Sequence, residues 1–399
     1  MYFVSRLRRV RTRHRLLVYA SVAVVLSGCG SGAKPPAAKQ HPHSSSSRTT
    51  TGQGSRPAGH HVVARAGRAG FDPISFTAVS DNDYWVLGSV PCRRGRCTSI
   101  LRTTDNGGTF VSLPTPPLKV ANAAGVQPTL RFADRVDGFA FVPGVGGVLY
   151  ATHDGGATWH RLALGSVLGF ATGAGNVYVV SARCSLQRCT RYRFERSPVS
   201  ADRWRAAAMP FTPNGSIVDL TAHGQGIWLL GTPVGKERSR SDELARSTDG
   251  GATFVTGRGP CYPDLGGELA PTSARVVWAV CPTGTLAGAW RSVDGGVTFA
   301  QLRSPELANS ATLAPASREV AVLARGGPSP LLRTKDGGVT WTRALTPPGA
   351  TFWAWIGFTD ADVGAALVQT RYQASAKVEL EELWRTRNGG ADWSRVRFR

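Results

Sequence analysis

Thr152-His153-Asp154-Gly155-Gly156-Ala157-Thr158-Trp159 is one of six nearly identical octapeptides in this chain; the others span Thr103 to Phe110, Ser247 to Phe254, Ser292 to Phe299, Thr334 to Trp341 and Thr386 to Trp393. The shared pattern is Ser/Thr, any, Asp, Gly/Asn, Gly, any, Thr, aromatic, and only the last copy departs from it, with Asn388 for Asp and Asp392 for Thr. A decayed seventh copy lies at Ser197 to Trp204, where Ser197, Ala201 and Trp204 hold the frame but Val199 replaces the Asp. With it, the third positions fall at 105, 154, 199, 249, 294, 336 and 388. A period of this length is that of one four-stranded propeller blade.

Short alternating apolar segments flank each copy, such as Ile100-Leu101-Arg102 before the first and Phe110 to Leu113 after it, so the octapeptide reads as the turn of a β-hairpin. A short carboxylate and the hydroxyl two residues earlier both accept backbone N–H bonds within such a turn. The glycine two positions after the Asp supplies a positive φ, and the terminal ring pins the turn to its surroundings. Asp105, Asp154, Asp249, Asp294, Asp336 and Asn388 are therefore read as architectural.

Ahead of each turn come two more apolar strands around a polar turn: Phe76 to Val79 then Tyr84 to Leu87, Leu130 to Phe132 then Phe139 to Val142, Ile217 to Leu220 then Ile227 to Leu230. Four strands per unit and seven units fill 71–399. The expected fold is all-β, a seven-bladed β-propeller with the octapeptide between the third and fourth strands of each blade. Its ring closes by packing rather than by exchange of a strand between first and last blades. Six blades result if the decayed copy belongs to an insertion. A doubly wound parallel sheet would need helical crossovers, and no 3.6-period apolar stretch of sufficient length follows the N-terminal segment.

The octapeptide resembles the Asp-box, or bacterial neuraminidase repeat, shared by sialidase-like, sortilin-like and photosystem II assembly factor-like propellers. Phe132-Ala133-Asp134-Arg135-Val136-Asp137-Gly138-Phe139-Ala140-Phe141 is similar to the phrase that precedes each box in the photosystem II assembly factor type, and Phe358 to Ala365 matches it in part. That resemblance covers nearly all of 71–399 and implies a non-catalytic binding scaffold, with the boxes on the rim away from the ligand. Sialidases carry a Phe/Tyr-Arg-Ile-Pro phrase with the first of three converging arginines. The nearest segments here, Arg191 to Phe194 and Leu130 to Phe132, do not match it. Xyloglucanases resemble the chain in their boxes but set two propellers around one cleft, whereas this chain has one. The enzymatic alternative is a sialidase-like or xyloglucanase-like glycoside hydrolase. No catalytic residue, cofactor or metal is assigned from the sequence.

Arg6, Arg8, Arg9, Arg11, Arg13 and Arg15 precede an apolar run from Leu16 to Leu26. That run is too short to span a bilayer comfortably and reads as a secretory signal over 1–28. Leu26-Ser27-Gly28-Cys29 resembles the bacterial lipobox, which implies acylation of Cys29 and an extracytoplasmic protein anchored in the cell membrane. Residues 29–70, rich in Ser, Pro, Gly, Thr and His, read as a disordered tether; the alternative for His41, His43, His60 and His61 is a metal-binding tail. The other six cysteines suit an oxidising compartment. Cys92 with Cys97 and Cys184 with Cys189 occupy the same place in their repeats and are expected as local disulfides, which leaves Cys261 with Cys281; a zinc site is the competing reading.

The chain is strongly basic, with 47 Lys and Arg against 26 Asp and Glu. Without the six leader arginines the balance is 41 to 26, about +15. An extracytoplasmic address excludes nucleic acid, and leaves anionic headgroups, acidic wall polymers, glycans or proteins as partners of a monomer. A merely solvated, arginine-biased surface is the alternative. By propeller geometry a ligand belongs on the face opposite the octapeptides, where the longest loops carry Lys236, Arg238 and Arg240, and Arg371 and Tyr372. The blade junctions there carry Tyr262 and Asp264, and Trp353 and Trp355, the last two being more often the kind of ring that packs between blades.

Overall fold

The computed structural model describes residues 70–93, 95–119, 126–185, 188–349, 351–369 and 381–398. The signal segment, Cys29 and the tether lie outside these residues, as do Arg371 and Tyr372. Every helix or strand among the described residues is a strand. The strands form seven antiparallel sheets, each of four consecutive strands, over 72–113, 129–162, 166–207, 213–258, 268–301, 312–345 and 352–395. In the fifth sheet Leu307–Ala308 also pairs with the third strand, prolonging its outer edge. The seven-bladed count holds. Ser197 to Trp204 turns between the third and fourth strands of a complete third sheet, so the six-blade alternative falls.

The middle strands are apolar on both faces because each sheet is packed on both sides. In the second strand of the first sheet, Tyr84 and Val86 face the seventh sheet, and Trp85 and Leu87 face the second. This period-two division repeats around the ring, and the core is seven apolar clusters, one at each junction between neighbouring sheets. The junction of last to first sheet is of the same kind, with Leu367 and Leu383 against Phe76 and Val86, and Phe398 against both Phe71 and Phe110. Closure is by packing, without exchange of a strand.

The innermost strands present edges that must be satisfied away from water. Neighbouring side chains do this: Ser75 Oγ and Thr77 Oγ1 accept the N–H groups of Leu130 and Phe132, both at 3.0 Å, and Asp219 Oδ2 accepts that of Leu269 at 2.7 Å.

The octapeptide turns are hydrogen-bonded as a unit. In the second sheet Thr152 Oγ1 accepts Gly156 N–H at 3.0 Å and donates to Asp154 Oδ1 at 2.8 Å, and Asp154 then accepts the Thr158 N–H and hydroxyl. Two successive residues are left-handed, not one as the sequence suggests: Gly155 and Gly156 have φ of 74° and 97°, and in the first sheet Asn106 takes the earlier position at 61°. Asparagine tolerates that region where other side chains are strained. Each terminal ring then inserts into the junction with the preceding sheet, as Trp159 does against Phe132.

A second device crosses the junctions. The residue before the Ser/Thr of each turn is Arg102, Ala151, Arg196, Arg246, Arg291, Arg333 or Arg385, an arginine in six of seven sheets. Arg196, Arg291 and Arg333 donate to the carbonyls of Gly250, Gly337 and Gly389 in the next sheet's turn, and Arg385 donates to Asn106 Oδ1 across the ring closure. At two junctions the indole of the neighbouring strand does the same, Trp85 to Gly155 O and Trp228 to Gly295 O, with Arg102 stacked 4.4 Å over the Trp85 ring. A share of the basic charge is thus structural.

Candidate functional site

Because all strands are consecutive and antiparallel, the octapeptide turns share one face with the turns between first and second strands; Gly155 N–H donates to Val136 O across them. Hairpins between second and third strands, and the links between sheets, share the opposite face. All three cysteine pairs lie there as disulfides. Cys92–Cys97 and Cys184–Cys189 close hairpins, and Cys261–Cys281 ties the link between fourth and fifth sheets to the end of a core strand.

On that face one area is built rather than merely exposed. Three segments of the fourth sheet and its link meet: the start of its first strand around 212–217, the loop 234–242, and the link 260–267. Val234 N–H donates to Thr212 O at 3.0 Å, Asp264 N–H to Thr232 Oγ1 at 2.7 Å, and Asn214 Nδ2 to Asp264 Oδ1 at 3.2 Å. Beneath them Asp242 is buried, accepting from the Thr232 hydroxyl at 2.5 Å, and its own N–H donates to Cys261 O. Burial pushes the Asp242 carboxyl up to about 6, against the Thr232 hydrogen bond, and the Asp264 charge adds to the rise. Asp264 holds its link in a left-handed conformation, φ 59°.

This platform carries four large apolar side chains in water: Ile217 (42% exposed), Val234 (61%), Tyr262 (50%) and Leu265 (44%). Lys236, Arg238 and Arg240 are exposed on the loop that also carries Val234. Lys236 pairs with Glu243 at 2.7 Å, and the Gly235 N–H holds the Glu237 carboxyl below its usual range. Sequence reasoning found Tyr262, Asp264 and the three cations but passed over Ile217, Val234 and Leu265. The available signal was apolar residues in Pro- and Gly-rich loops, Pro233-Val234-Gly235 and Asp264-Leu265-Gly266.

The two tryptophans sit elsewhere. Trp353 is buried at the junction of sixth and seventh sheets and donates to Ser329 O at 2.9 Å, while Trp355 packs beside Phe76 at the ring closure. Both serve packing, leaving little ring surface for a ligand.

The carboxylates divide sharply. Those of the octapeptides are spread around the other face, each engaged by its own turn. Asp105 is held down to about 2 by the Thr103 hydroxyl and then the Thr109 N–H and hydroxyl. Asp249 and Asp336 are lowered in the same way, led by their threonine hydroxyls. In contrast burial raises Asp219 well above its usual range and Glu268 to about 7, the latter against the opposing influence of Thr312 and Leu313; these lie on the inner strands of fourth and fifth sheets against the next sheet, Asp219 accepting the Leu269 N–H. They are positioned as spacers between strands.

No family model and no curated protein matches the chain. Solved structures similar to it include YCF48 bound to a D1 peptide (16% identity, TM-score 0.49, covering 77% of this chain and 94% of that one). YCF48 from Cyanidioschyzon merolae aligns at 18% identity and TM-score 0.49, over 75% and 93%. The GH74 xyloglucanase from Xanthomonas campestris aligns at 14% and 0.32, over 80% and 72%.

Proposed function

We propose that this protein is a lipid-anchored, extracytoplasmic propeller that binds a protein partner through the face opposite its octapeptide turns, without catalysing a reaction. The observation that carries the reading is the exposure of Ile217, Val234, Tyr262 and Leu265 on segments tied together by a disulfide and buried hydrogen bonds, with Lys236, Arg238 and Arg240 exposed on the same loop as Val234. Apolar side chains gathered on a rigid surface and edged with charge suit a protein partner with an acidic border. Catalysis is disfavoured by the carboxylates: the octapeptide set is dispersed and bound to its own turns, Asp219 and Glu268 lie on inner strands against the next sheet, and Asp242 is buried beneath the Thr232 hydroxyl. A lipid at Cys29 and a tether of about forty residues would hold the platform near the membrane.

The test is site-specific photocrosslinking in membranes of the source cell. A photoreactive phenylalanine at Tyr262 is expected to trap one stoichiometric protein, one at Val297 on the other face none, and Lys236→Glu with Arg238→Glu and Arg240→Glu to reduce the yield several-fold. Equal trapping from both positions, or none from either, refutes the platform. Hydrolysis of a sialoside or glucan panel by the purified protein would restore the glycoside hydrolase reading.

A further inference from the structure

The junction between second and third sheets lacks both parts of the device that crosses the others. Ala151 stands where the arginine would be, Phe139 where the first and fourth sheets have Trp85 and Trp228, and the facing turn is the decayed Ser197 to Trp204. In that gap, on the rim, stand His153 from the second position of the intact turn, His160 beginning the strand after it, and Asp202 from the decayed turn. We infer that His153, His160 and Asp202 form a binding site for a divalent transition metal ion, zinc first among them, which fastens the second sheet to the third.

One ligand atom from each residue lies within 4.8 Å of the other two. His153 Nε2 stands 3.4 Å from Asp202 Oδ2, and tetrahedral bonds of about 2.0–2.1 Å set ligand atoms about 3.3–3.4 Å apart. His160 Nε2 hydrogen-bonds the same Asp202 oxygen; its ring is half exposed and has room to swing outward as an ion replaces the shared proton. His153 is oriented in advance, because its Nδ1 contacts Asp137 Oδ1 at 2.7 Å and Asp137 is buried. With the proton on Nδ1 the Nε2 lone pair points at the site, and a carboxylate behind a histidine is the usual outer support of a metal ligand. Two imidazoles and one carboxylate suit zinc, cobalt, nickel or copper, whereas calcium and magnesium favour oxygen alone. The fourth position opens to solvent.

None of this follows from spacing in the sequence, since Asp202 lies 42 residues from His160. The inference is independent of the docking platform, which is on the opposite face.

The test uses the whole chain without added histidines, beside a second form with His41, His43, His60 and His61 all changed to Ala. Both are expected to bind one equivalent of Co²⁺ with a tetrahedral visible spectrum that Zn²⁺ abolishes. Zn²⁺ at a hundredfold excess over its Kd should raise Tm by a few degrees over the EDTA-treated protein. His160→Ala and Asp202→Asn should each weaken binding at least tenfold while leaving the metal-free Tm within about a degree, as expected for exposed side chains. Asp137→Asn should weaken binding by about 10- to 100-fold with every ligand kept. Unchanged Co²⁺ spectra and Zn²⁺ shifts in His160→Ala and Asp202→Asn would overturn the site. So would binding lost only with the four tether histidines, or no binding tighter than about 100 μM.

Discussion

The last octapeptide writes its clasp the other way round, and that supplies a test of what the clasp does. In the fifth sheet Asp294 Oδ1 accepts from the Ser292 hydroxyl at 2.7 Å and the Val297 and Thr298 N–H groups at 3.0 Å, and Oδ2 accepts from the Thr298 hydroxyl at 2.6 Å. In the seventh sheet the amide of Asn388 donates instead, to Asp392 Oδ2 at 2.8 Å, while Asn388 Oδ1 accepts the Asp392 N–H. Thr298→Asp alone sets two carboxylates about 3 Å apart, about 1.4 kcal/mol of repulsion even in water, and loses a hydroxyl-to-carboxylate bond of about 1.5 kcal/mol. The sum of about 3 kcal/mol corresponds to a fall in Tm of roughly 4 °C for a domain of about 330 residues. Adding Asp294→Asn rebuilds the arrangement of the seventh sheet and should recover about 2 kcal/mol, or roughly 3 °C. Calorimetry and tryptophan-monitored urea unfolding of the wild type, both single variants and the double variant complete the cycle. A double variant no more stable than Thr298→Asp would refute the account of the turn as a directional clasp.

Three further outcomes are expected. Arg385→Lys should lower Tm by several degrees, because a lysine cannot both reach Asp81 O and Asn106 Oδ1 and cover the Tyr84 ring, 4.5 Å away in the native closure; an unchanged melt would remove Arg385 from the closure. The Glu268 and Asp242 carboxyls are raised on folding, to about 7 and about 6, so the folded state holds their protons longer than the unfolded chain. Stability from these groups is therefore greatest at and below their unfolded pKa and is lost as pH rises toward 6–7. Glu268→Gln should flatten the fall of Tm between pH 5 and 8, and an unaltered slope counts against it. Cys29→Ala should move the protein from the membrane fraction to the soluble one, as read by fractionation and mass spectrometry of the N-terminal peptide; retention with no lipid on the wild-type peptide refutes acylation.

The fold was legible because it is written seven times in local code. Period-two apolar strands, a turn with its own carboxylate, hydroxyls and glycines, and a ring at fixed spacing are all short-range features, and the repeat converts them into an architecture without any knowledge of distant contacts. The cysteine pairs were legible for the same reason, two of them being closed within six residues. The arginine before each Ser/Thr was also present in the sequence, but its meaning was not, since Arg333 and Arg385 act on the turns of other sheets. Trp353 and Trp355 read from sequence more readily as packing between sheets than as ligand contacts, but which side a ring takes is set by the register and packing around it. The segments carrying Ile217, Val234 and Leu265 come together only when they are tied by Thr232, Asp264 and Thr212, and His153, His160 and Asp202 meet only when the second sheet stands beside the third. Local hydrogen bonding and side-chain periodicity thus determine the sheets and their number from the sequence alone. Proximity between residues of different sheets is decided by closure of the ring, and the candidate surfaces exist only after that step.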